Sequence, residues 1–167
     1  MQEAKLIDPS LIMLNVGATE KEEVITLMAK KLISEGYVKD SYLNAILKRE
    51  KEYPTGLPTN EVGVAIPHTD IEHVIKHGIA VATLKNPVKF NAMGNPDEEV
   101  NVKLIFMLAI TDPNTQINLL KKLVDIFQKK EFLKKLVSIE NEEEFAKELN
   151  SAISNTTDEL NNNINYI

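Results

Sequence analysis

Apolar residues follow two alternating patterns along this chain. Short, nearly uninterrupted apolar runs are typical of buried strands, and they occur at 11–16, 63–66, 79–84, 88–90 and 102–110. Apolar residues three and four positions apart are typical of helices, and they cover 20–35, 41–52, 115–129, 131–138 and 142–151. Because strands and helices alternate, the sequence predicts an α/β fold, in which a mixed central β-sheet is sandwiched by helices.

Polar residues mark the ends of the first two helices. Thr19 and Glu22 have the spacing of a capping box at the start of the first helix, and Gly36 is expected to end that helix. Asp40 or Ser41 is expected to cap the second helix.

Two chain reversals are predicted between the later strands. Asn86-Pro87 is expected to stop the strand at 79–84, so that Val88–Phe90 forms a separate, weak edge strand. Gly94–Asp97 is expected to form a turn before the next strand.

One domain is predicted for residues 1–152. The chain has 167 residues, of which 43% are hydrophobic, and it shows neither an internal repeat nor a domain boundary. Residues 153–167 are polar and rich in asparagine, and they are expected to form a disordered tail.

The composition excludes several classes of function. The 19 basic and 25 acidic residues give a formal net charge of −6, and no basic stripe with interleaved aromatics is present, which argues against nucleic-acid binding. There is no cysteine, so disulfides, thiolate catalysis and cysteine-ligated zinc are excluded. The longest apolar run, Leu104–Ile110, is too short to span a bilayer, and the N-terminus lacks the features of a signal peptide. The cytoplasm is therefore the expected location.

His68 is the strongest candidate for a catalytic residue. A short apolar strand ends at Pro67, and His68 follows at the strand end, where solvent and partners can reach it. A neutral imidazole, with an unperturbed pKa of about 6.5, is nucleophilic at neutral pH without a general base. It can take up a phosphoryl group and release it again, because the P–N bond is labile. The alternative is a structural histidine whose hydrogen bonds are satisfied at the strand end.

Arg49 is the only arginine among the 19 basic residues. It falls on the apolar stripe of the second predicted helix. That stripe consists of Tyr42, Ala45, Ile46, Arg49 and Tyr53. A guanidinium on such a face needs an anionic partner, and its planar fork suits phosphoryl oxygens. Codon bias toward lysine is the alternative explanation for the rarity of arginine.

A second predicted strand also ends at polar residues. Ile110 ends a buried strand and is followed by the polar residues 111–116, and ligands of open α/β sheets collect where strands end. The helix that opens at Thr115 is expected to present free N–H groups, which would form an anion site. Its inward residues are predicted to be Ile117, Leu120, Val124 and Phe127.

Metal binding is the alternative function for the histidines. Asp70–Lys76 is predicted to form a helical turn that places His73 and His77 on one face. The zincin pattern needs a glutamate directly after the first histidine, whereas Glu72 precedes His73 and a lysine lies beside the second histidine. Metal binding is therefore disfavoured, and both residues are expected on the solvated surface.

A family resemblance rests on an ordered set of residues. Arg49-Glu50-Lys51, a loop rich in proline and threonine, and Val64-Ala65-Ile66-Pro67-His68 together resemble the EIIA component of the bacterial sugar phosphotransferase system, fructose/mannitol type. The resemblance covers about residues 5–150. It implies that His68 receives a phosphoryl group on Nε2 from the phosphocarrier protein HPr and passes it to EIIB, while Arg49 holds the phosphoryl oxygens. It also implies that no metal or other cofactor is needed.

The chain departs from this family pattern at the later helix start. Mannitol and fructose members often carry a second histidine there, whereas this chain has Gln116, which can form hydrogen bonds but cannot carry positive charge. Together with the longer loop between Arg49 and His68, this favours a galactitol-like branch. Gln116 is expected to support His68 or the phosphoryl group, and Thr55 or Thr59 is expected to cover the site.

The expected partners also follow from the resemblance. EIIB of the galactitol and mannitol systems uses a cysteine, which this chain lacks, so EIIB and the membrane transporter EIIC are expected to be separate polypeptides. The alternative function is a regulatory EIIA-like phosphoprotein that signals its phosphorylation state to a transcription factor or kinase.

Overall fold

The computed structural model describes residues 6–59 and 61–164. In chain order its elements are β1 (Ile12–Val16), α1 (Lys21–Ser34), α2 (Ser41–Glu52), β2 (Gly56–Leu57), β3 (Gly63–Ala65), β4 (Gly78–Ala92), β5 (Asn95–Ala109), α3 (Pro113–Phe127), α4 (Lys130–Ser138) and α5 (Glu142–Ile164). Short 3₁₀ turns lie at Pro9–Leu11 and Ile71–His73. The predicted α/β class is confirmed.

The described strands form one mixed sheet around the β4–β5 hairpin. β4 pairs antiparallel with β5, and β1 lies parallel to β4. β3 lies parallel to β5 and antiparallel to β2, whose Gly56 also pairs with Ala92 at the end of β4. Gly63 permits the close approach of β3 to β5, because a Cβ atom there would lie 1.9 Å from the carbonyl oxygen of Asn101. The parallel β3–β5 pair is the part of the sheet that positions His68.

Helices cover both faces of this sheet. One apolar cluster joins the sheet to α3, α4 and α5, and another joins it to α1 and α2. β5 supplies both, with Phe106 and Leu108 in the first cluster and Ile105 and Met107 in the second. The predicted sandwich is therefore confirmed. In the part of the chain that the structure describes, no helix has the length and apolar character needed to cross a membrane.

The two ends of α1 differ in how well the sequence predicted them. The helix begins at Lys21, and the hydroxyl of Thr19 donates to the carboxylate of Glu23 at 2.7 Å, so the capping box with Glu22 is wrong. The other end is confirmed. Gly36 has a φ of +80° and ends the helix, because glycine adopts this left-handed conformation without steric strain.

β4 runs through Pro87 without a break, so the predicted stop and the separate edge strand are wrong. The pairing with β5 shifts register between Thr83 and Val88. Since no residue of β5 pairs with Pro87 in this interval, its missing N–H removes no bond from the ladder. The predicted turn at 94–97 is also shifted, because the hairpin turns at 93–94 and β5 follows directly.

The buried face of α3 differs from the predicted one. Ile117, which was expected to point inward, is 52% exposed, and Leu120 and Val124 are only partly buried. The residues that α3 buries are Leu119, Leu123, Ile126 and Phe127, of which only Phe127 was predicted to point inward. Both rows have helical spacing, so the packing of α3 against the sheet decides between them.

α5 continues past the predicted end of the domain. The helix runs to Ile164, whereas the sequence analysis expected residues 153–167 to form a disordered tail. Phe145 and Leu149 pack the start of α5 on the core, and a helix that packing has already nucleated extends into polar residues at little further cost. Residues 165–167 lie outside the described part of the chain.

Candidate functional site

The ends of β3 and β5, both of which the sequence predicted as strand ends, meet at one edge of the sheet. Ala65 pairs with Ile105 in the parallel ladder. Beyond the ladder, the N–H of Leu108 donates to the carbonyl oxygen of Pro67 at 3.0 Å. This bond holds Pro67 against β5 and thereby places His68 beside the end of that strand.

The backbone orients the half-buried ring of His68. Its Nδ1 lies 2.8 Å from the carbonyl oxygen of Ile66. A carbonyl oxygen can only accept a hydrogen bond, so Nδ1 carries the hydrogen and the lone pair of the neutral ring is on Nε2. The local chain between Ile66 and His68 therefore selects the tautomer in which Nε2 is the nucleophile.

The surroundings of His68 favour the neutral ring. Burial disfavours the imidazolium and lowers the pKa of His68 from its ordinary value, and the positive charge of Arg49 lowers it further. The hydrogen bond to Ile66 and the charge of Asp70 act in the opposite direction without outweighing these effects. The ring is consequently in its nucleophilic form at neutral pH.

Arg49 lies in the last turn of α2 with 39% of its side chain exposed. Its Nη1 is 3.8 Å from Oδ1 of Asp70, and its Cζ lies 4.6 Å from the centroid of the Tyr53 ring. Asp70 is therefore the anionic partner that the sequence called for, although its role was not foreseen. The Asp70 side chain is 71% exposed, so this ion pair is weak. The structure brings His68, Arg49 and Asp70 together.

The buried row of α2 ends at Glu50, which the sequence did not predict to be buried. Tyr42 and Ile46 are buried as predicted, but Tyr53 is 61% exposed. The next buried residue after Ile46 is Glu50, which is 3% exposed. Positions 42, 46 and 50 are four apart and share a helix face, so spacing was a signal for Glu50, while its charge argued against burial.

Glu50 binds Thr55 in the interior. Its carboxylate accepts the N–H of Thr55 at 3.0 Å and the hydroxyl at 2.8 Å. Burial raises the pKa of Glu50 to about 7, although the hydrogen bonds from Thr55 and the charge of Lys21 act to lower it. Thr55 is itself buried, so the expectation that it covers the site is wrong. The hydroxyl of Thr59 donates to the carbonyl oxygen of Val62 within its own loop.

The start of α3 offers fewer free N–H groups than expected. Asp112 caps the helix, because its Oδ2 accepts the hydroxyl of Thr115 at 2.7 Å and the N–H of the same residue at 3.0 Å. These bonds lower the pKa of Asp112. The predicted anion site is thus partly filled by a carboxylate of the chain itself. Gln116 lies in the same turn, at the edge of the sheet that carries His68, and its Oε1 is buried without a hydrogen-bond partner among the described residues.

His73 and His77 do not share a helix face, which removes the basis of the metal hypothesis. The 3₁₀ turn ends at His73, and Val74 is extended. Nδ1 of His73 lies 2.8 Å from the hydroxyl of Ser41, and the two ring nitrogens of His77 contact the N–H and hydroxyl of Thr111 at 3.2 and 3.0 Å. Within 6–59 and 61–164, no three His, Asp or Glu side chains are grouped so that they could hold a metal ion.

A comparison with protein families decides the identity of the chain. The family described as "Phosphoenolpyruvate-dependent sugar phosphotransferase system, EIIA 2" matches residues 5–152. The chain belongs to this family. The resemblance found in the sequence is thereby confirmed, and this EIIA chain is a phosphotransferase-system protein.

Individual relatives agree with this assignment. The galactitol-specific EIIA component of Escherichia coli K12 is 28% identical over 116 residues, which are 70% of this chain and 77% of that protein. The fructose-specific EIIABC component of Bacillus subtilis is 33% identical over 136 residues, which are 78% of this chain and 20% of that protein. The fold matches mannitol enzyme IIA from Escherichia coli, solved in complex with phosphorylated enzyme IIB, with a TM-score of 0.68 and 23% identity over 90% of this chain and 99% of that one.

Proposed function

We propose that the chain is a phosphohistidine relay protein of a sugar or polyol phosphotransferase system, in which His68 accepts a phosphoryl group from HPr and passes it to EIIB. The observation that carries this proposal is the state of the His68 ring. Its Nδ1 is bound to the carbonyl oxygen of Ile66, which leaves Nε2 as the nucleophile of a half-buried neutral ring influenced by the charge of Arg49. Membership of the EIIA 2 family supports phosphoryl transfer as the chemistry.

In the proposed step, the lone pair on Nε2 of His68 attacks the phosphorus atom carried by HPr. A P–N bond forms, the bond between phosphorus and HPr breaks, and its electron pair stays with HPr. Nδ1 keeps its hydrogen throughout, because the carbonyl oxygen of Ile66 holds it. Transfer to EIIB is the corresponding exchange with an EIIB side chain as the acceptor, so the proposal includes no metal and no other cofactor.

Arg49 is proposed to hold the phosphoryl oxygens. A phosphoryl group carries about two negative charges. Asp70 offers a single charge that is largely exposed and 3.8 Å away. The guanidinium can therefore exchange Asp70 for the phosphoryl group and form paired hydrogen bonds to it. Gln116, whose buried amide oxygen has no partner among the described residues, is proposed to support the site from the start of α3.

A galactitol-like subtype is the branch that we propose. The galactitol-specific relative aligns with 77% of its own length, and Gln116 stands where the resemblance leads one to look for a second histidine. EIIB as the acceptor is supported by the mannitol IIA neighbour, which was solved in complex with phosphorylated IIB. The proposed link to the membrane transporter EIIC is indirect and runs through EIIB.

Phosphorylation by a reconstituted donor chain tests this function. The protein is incubated with labelled phosphoenolpyruvate, enzyme I and HPr, and the incorporated label should be acid-labile and base-stable. His68→Ala should remove the label, and His77→Ala, which changes an exposed histidine, should retain it. Full labelling of His68→Ala would refute the proposal. Added EIIB should then discharge the label, whereas a label that no EIIB removes would favour the regulatory alternative.

A further inference from the structure

Glu50 is a buried acidic residue on the helix that carries Arg49. It is 3% exposed, and the hydrogen bonds described for its carboxylate all come from the N–H and the hydroxyl of Thr55, which is 2% exposed. Burying an ionisable group is unfavourable even when it is hydrogen-bonded, and an apolar side chain of similar volume often serves packing equally well. Packing alone therefore does not explain why a carboxyl group occupies this buried position.

Hydrogen bonds lead from Thr55 to the ring of His68. The carbonyl oxygen of Thr55 accepts the N–H of Ile66 at 3.3 Å, and the carbonyl oxygen of Ile66 accepts Nδ1–H of His68 at 2.8 Å. Directly after Thr55, β2 pairs with β3, which leads into Ile66. The place where Thr55 is held therefore contributes to the position of the ring through Ile66, in addition to the bond between Leu108 and Pro67.

The segment that contains Thr55 also contacts Arg49. The guanidinium lies over the ring of Tyr53, two residues before Thr55, with Cζ 4.6 Å from the ring centroid. The N–H of Tyr53 donates to the carbonyl oxygen of Arg49 at 2.7 Å. The last turn of α2 therefore holds the segment 53–55 at both ends, through the carbonyl oxygen of Arg49 and the carboxylate of Glu50.

We propose that Glu50 is a positioning residue, which pins Thr55 and thereby fixes the guanidinium of Arg49 relative to the ring of His68. This inference rests on the proposed relay function, and it gives Glu50 no contact with the phosphoryl group. Loss of the two hydrogen bonds loosens Ile66, and with it the bond that selects the Nδ1–H tautomer of His68. Phosphoryl transfer then slows, because the step depends on alignment of the reacting atoms.

Three substitutions separate positioning from a simple contribution to stability. Glu50→Gln keeps both bonds, since its Oε1 accepts the N–H of Thr55 and its Nε2 donates to the hydroxyl. Glu50→Leu has a similar volume and makes neither bond, and Thr55→Val removes only the hydroxyl. Leu136→Ala, at a buried position of α4, is the matched control, because it lowers stability at a distance from the segment 53–55.

The transfer rate is measured in single turnovers with labelled phospho-HPr, at a temperature where circular dichroism shows each variant folded. Glu50→Leu should slow transfer at saturating HPr by about tenfold or more, with an unchanged half-saturating HPr concentration. Glu50→Gln should stay within about threefold of wild type, and Thr55→Val should lie between the two. A Glu50→Leu rate equal to that of Leu136→Ala, or a glutamine variant as slow as the leucine variant, would overturn the proposal. If Glu50→Leu does not fold, Thr55→Val is compared with Leu136→Ala instead.

A second readout needs no HPr. ¹⁵N NMR of the unphosphorylated protein should show the Nδ1–H tautomer of His68 in wild type and in Glu50→Gln, and a larger share of the other tautomer in Glu50→Leu and Thr55→Val. If the tautomer populations of His68 in Glu50→Leu and Thr55→Val both equal those of wild type, the positioning role of Glu50 is overturned. A wild-type protein that phospho-HPr does not label would refute the relay function, and the tautomer comparison would still decide the role of Glu50.

Discussion

Replacing Glu50 by glutamine removes an ionisable group from the interior while both hydrogen bonds to Thr55 can be kept. Burial raises the pKa of Glu50 from 4.5 to about 7 in the folded protein. As the pH rises, the carboxyl group of Glu50 therefore loses its proton first in the unfolded chain, while it is still protonated in the folded chain. Wild-type protein consequently loses stability as the pH rises from about 4.5, and the loss is complete above the folded-state pKa of about 7.

The size of the effect follows from the difference between the two pKa values. A rise from 4.5 to about 7 corresponds to about 3 kcal/mol, because one pKa unit is equivalent to about 1.4 kcal/mol. The hydrogen bonds from Thr55 and the charge of Lys21 oppose the effect of burial and keep the rise from being larger. Glutamine does not titrate. The free energy of unfolding of Glu50→Gln relative to wild type should therefore increase by up to about 3 kcal/mol between about pH 4.5 and about pH 8.

Urea unfolding of wild type and Glu50→Gln across this pH range measures the difference between their free energies of unfolding. The titration of groups other than Glu50 contributes to both proteins and cancels in this difference. Glu52→Gln is the matched control, because Glu52 lies on the same helix and has an exposed side chain. The pH-dependent difference of Glu50→Gln from wild type should exceed that of this control. If the Glu50→Gln difference were independent of pH, the carboxyl group would have to be hydrated, and the reasoning from burial would be refuted.

Three other substitutions test separate contacts. Arg49→Lys should slow phosphoryl transfer to His68 by about tenfold or more, because lysine lacks the planar fork of the guanidinium. Rapid-quench kinetics at saturating phospho-HPr measure this rate. A wild-type rate would show that Arg49 does not hold the phosphoryl oxygens. Asp70→Asn should lower the pKa of His68, because the charge of Asp70 raises it. An NMR titration that finds a higher pKa would contradict this. Tyr42→Phe should destabilise the fold by about 1–2 kcal/mol in urea unfolding, because the carbonyl oxygen of Leu108 loses a buried donor. An unchanged midpoint would show that this bond adds nothing.

The sequence predicted those parts of the site that depend on local signals. His68 follows a strand that ends at a proline, and Arg49 is the only arginine of the chain, so both could be found without knowing any distant contact. The meeting of the β3 and β5 ends was also predictable, because neighbouring strands of an α/β sheet end at a shared edge. The hydrogen bond between His68 and Ile66 spans only two residues, but its geometry becomes visible only in the structure.

Features that depend on packing between distant segments were not predictable. The burial of Glu50 was not predictable, because a charged residue on a helix is ordinarily solvated and only the contact with Thr55 in the following loop explains its position. Pro87 signals a strand end in isolation, yet the register shift in the β4–β5 pair accommodates it. On α3, two neighbouring rows of apolar residues satisfy the same spacing, and the sheet selects the row that contains Leu119 and Leu123.

The most direct test of the proposed function is to identify the atom that carries the phosphoryl group. The protein is phosphorylated with phosphoenolpyruvate, enzyme I and HPr, and ³¹P and ¹⁵N NMR are recorded on the histidine rings. The phosphoryl group should be found on Nε2 of His68, with Nδ1 still protonated and bound to the carbonyl oxygen of Ile66. A phosphoryl group on Nδ1 of His68, or on His73 or His77, would contradict the proposed function.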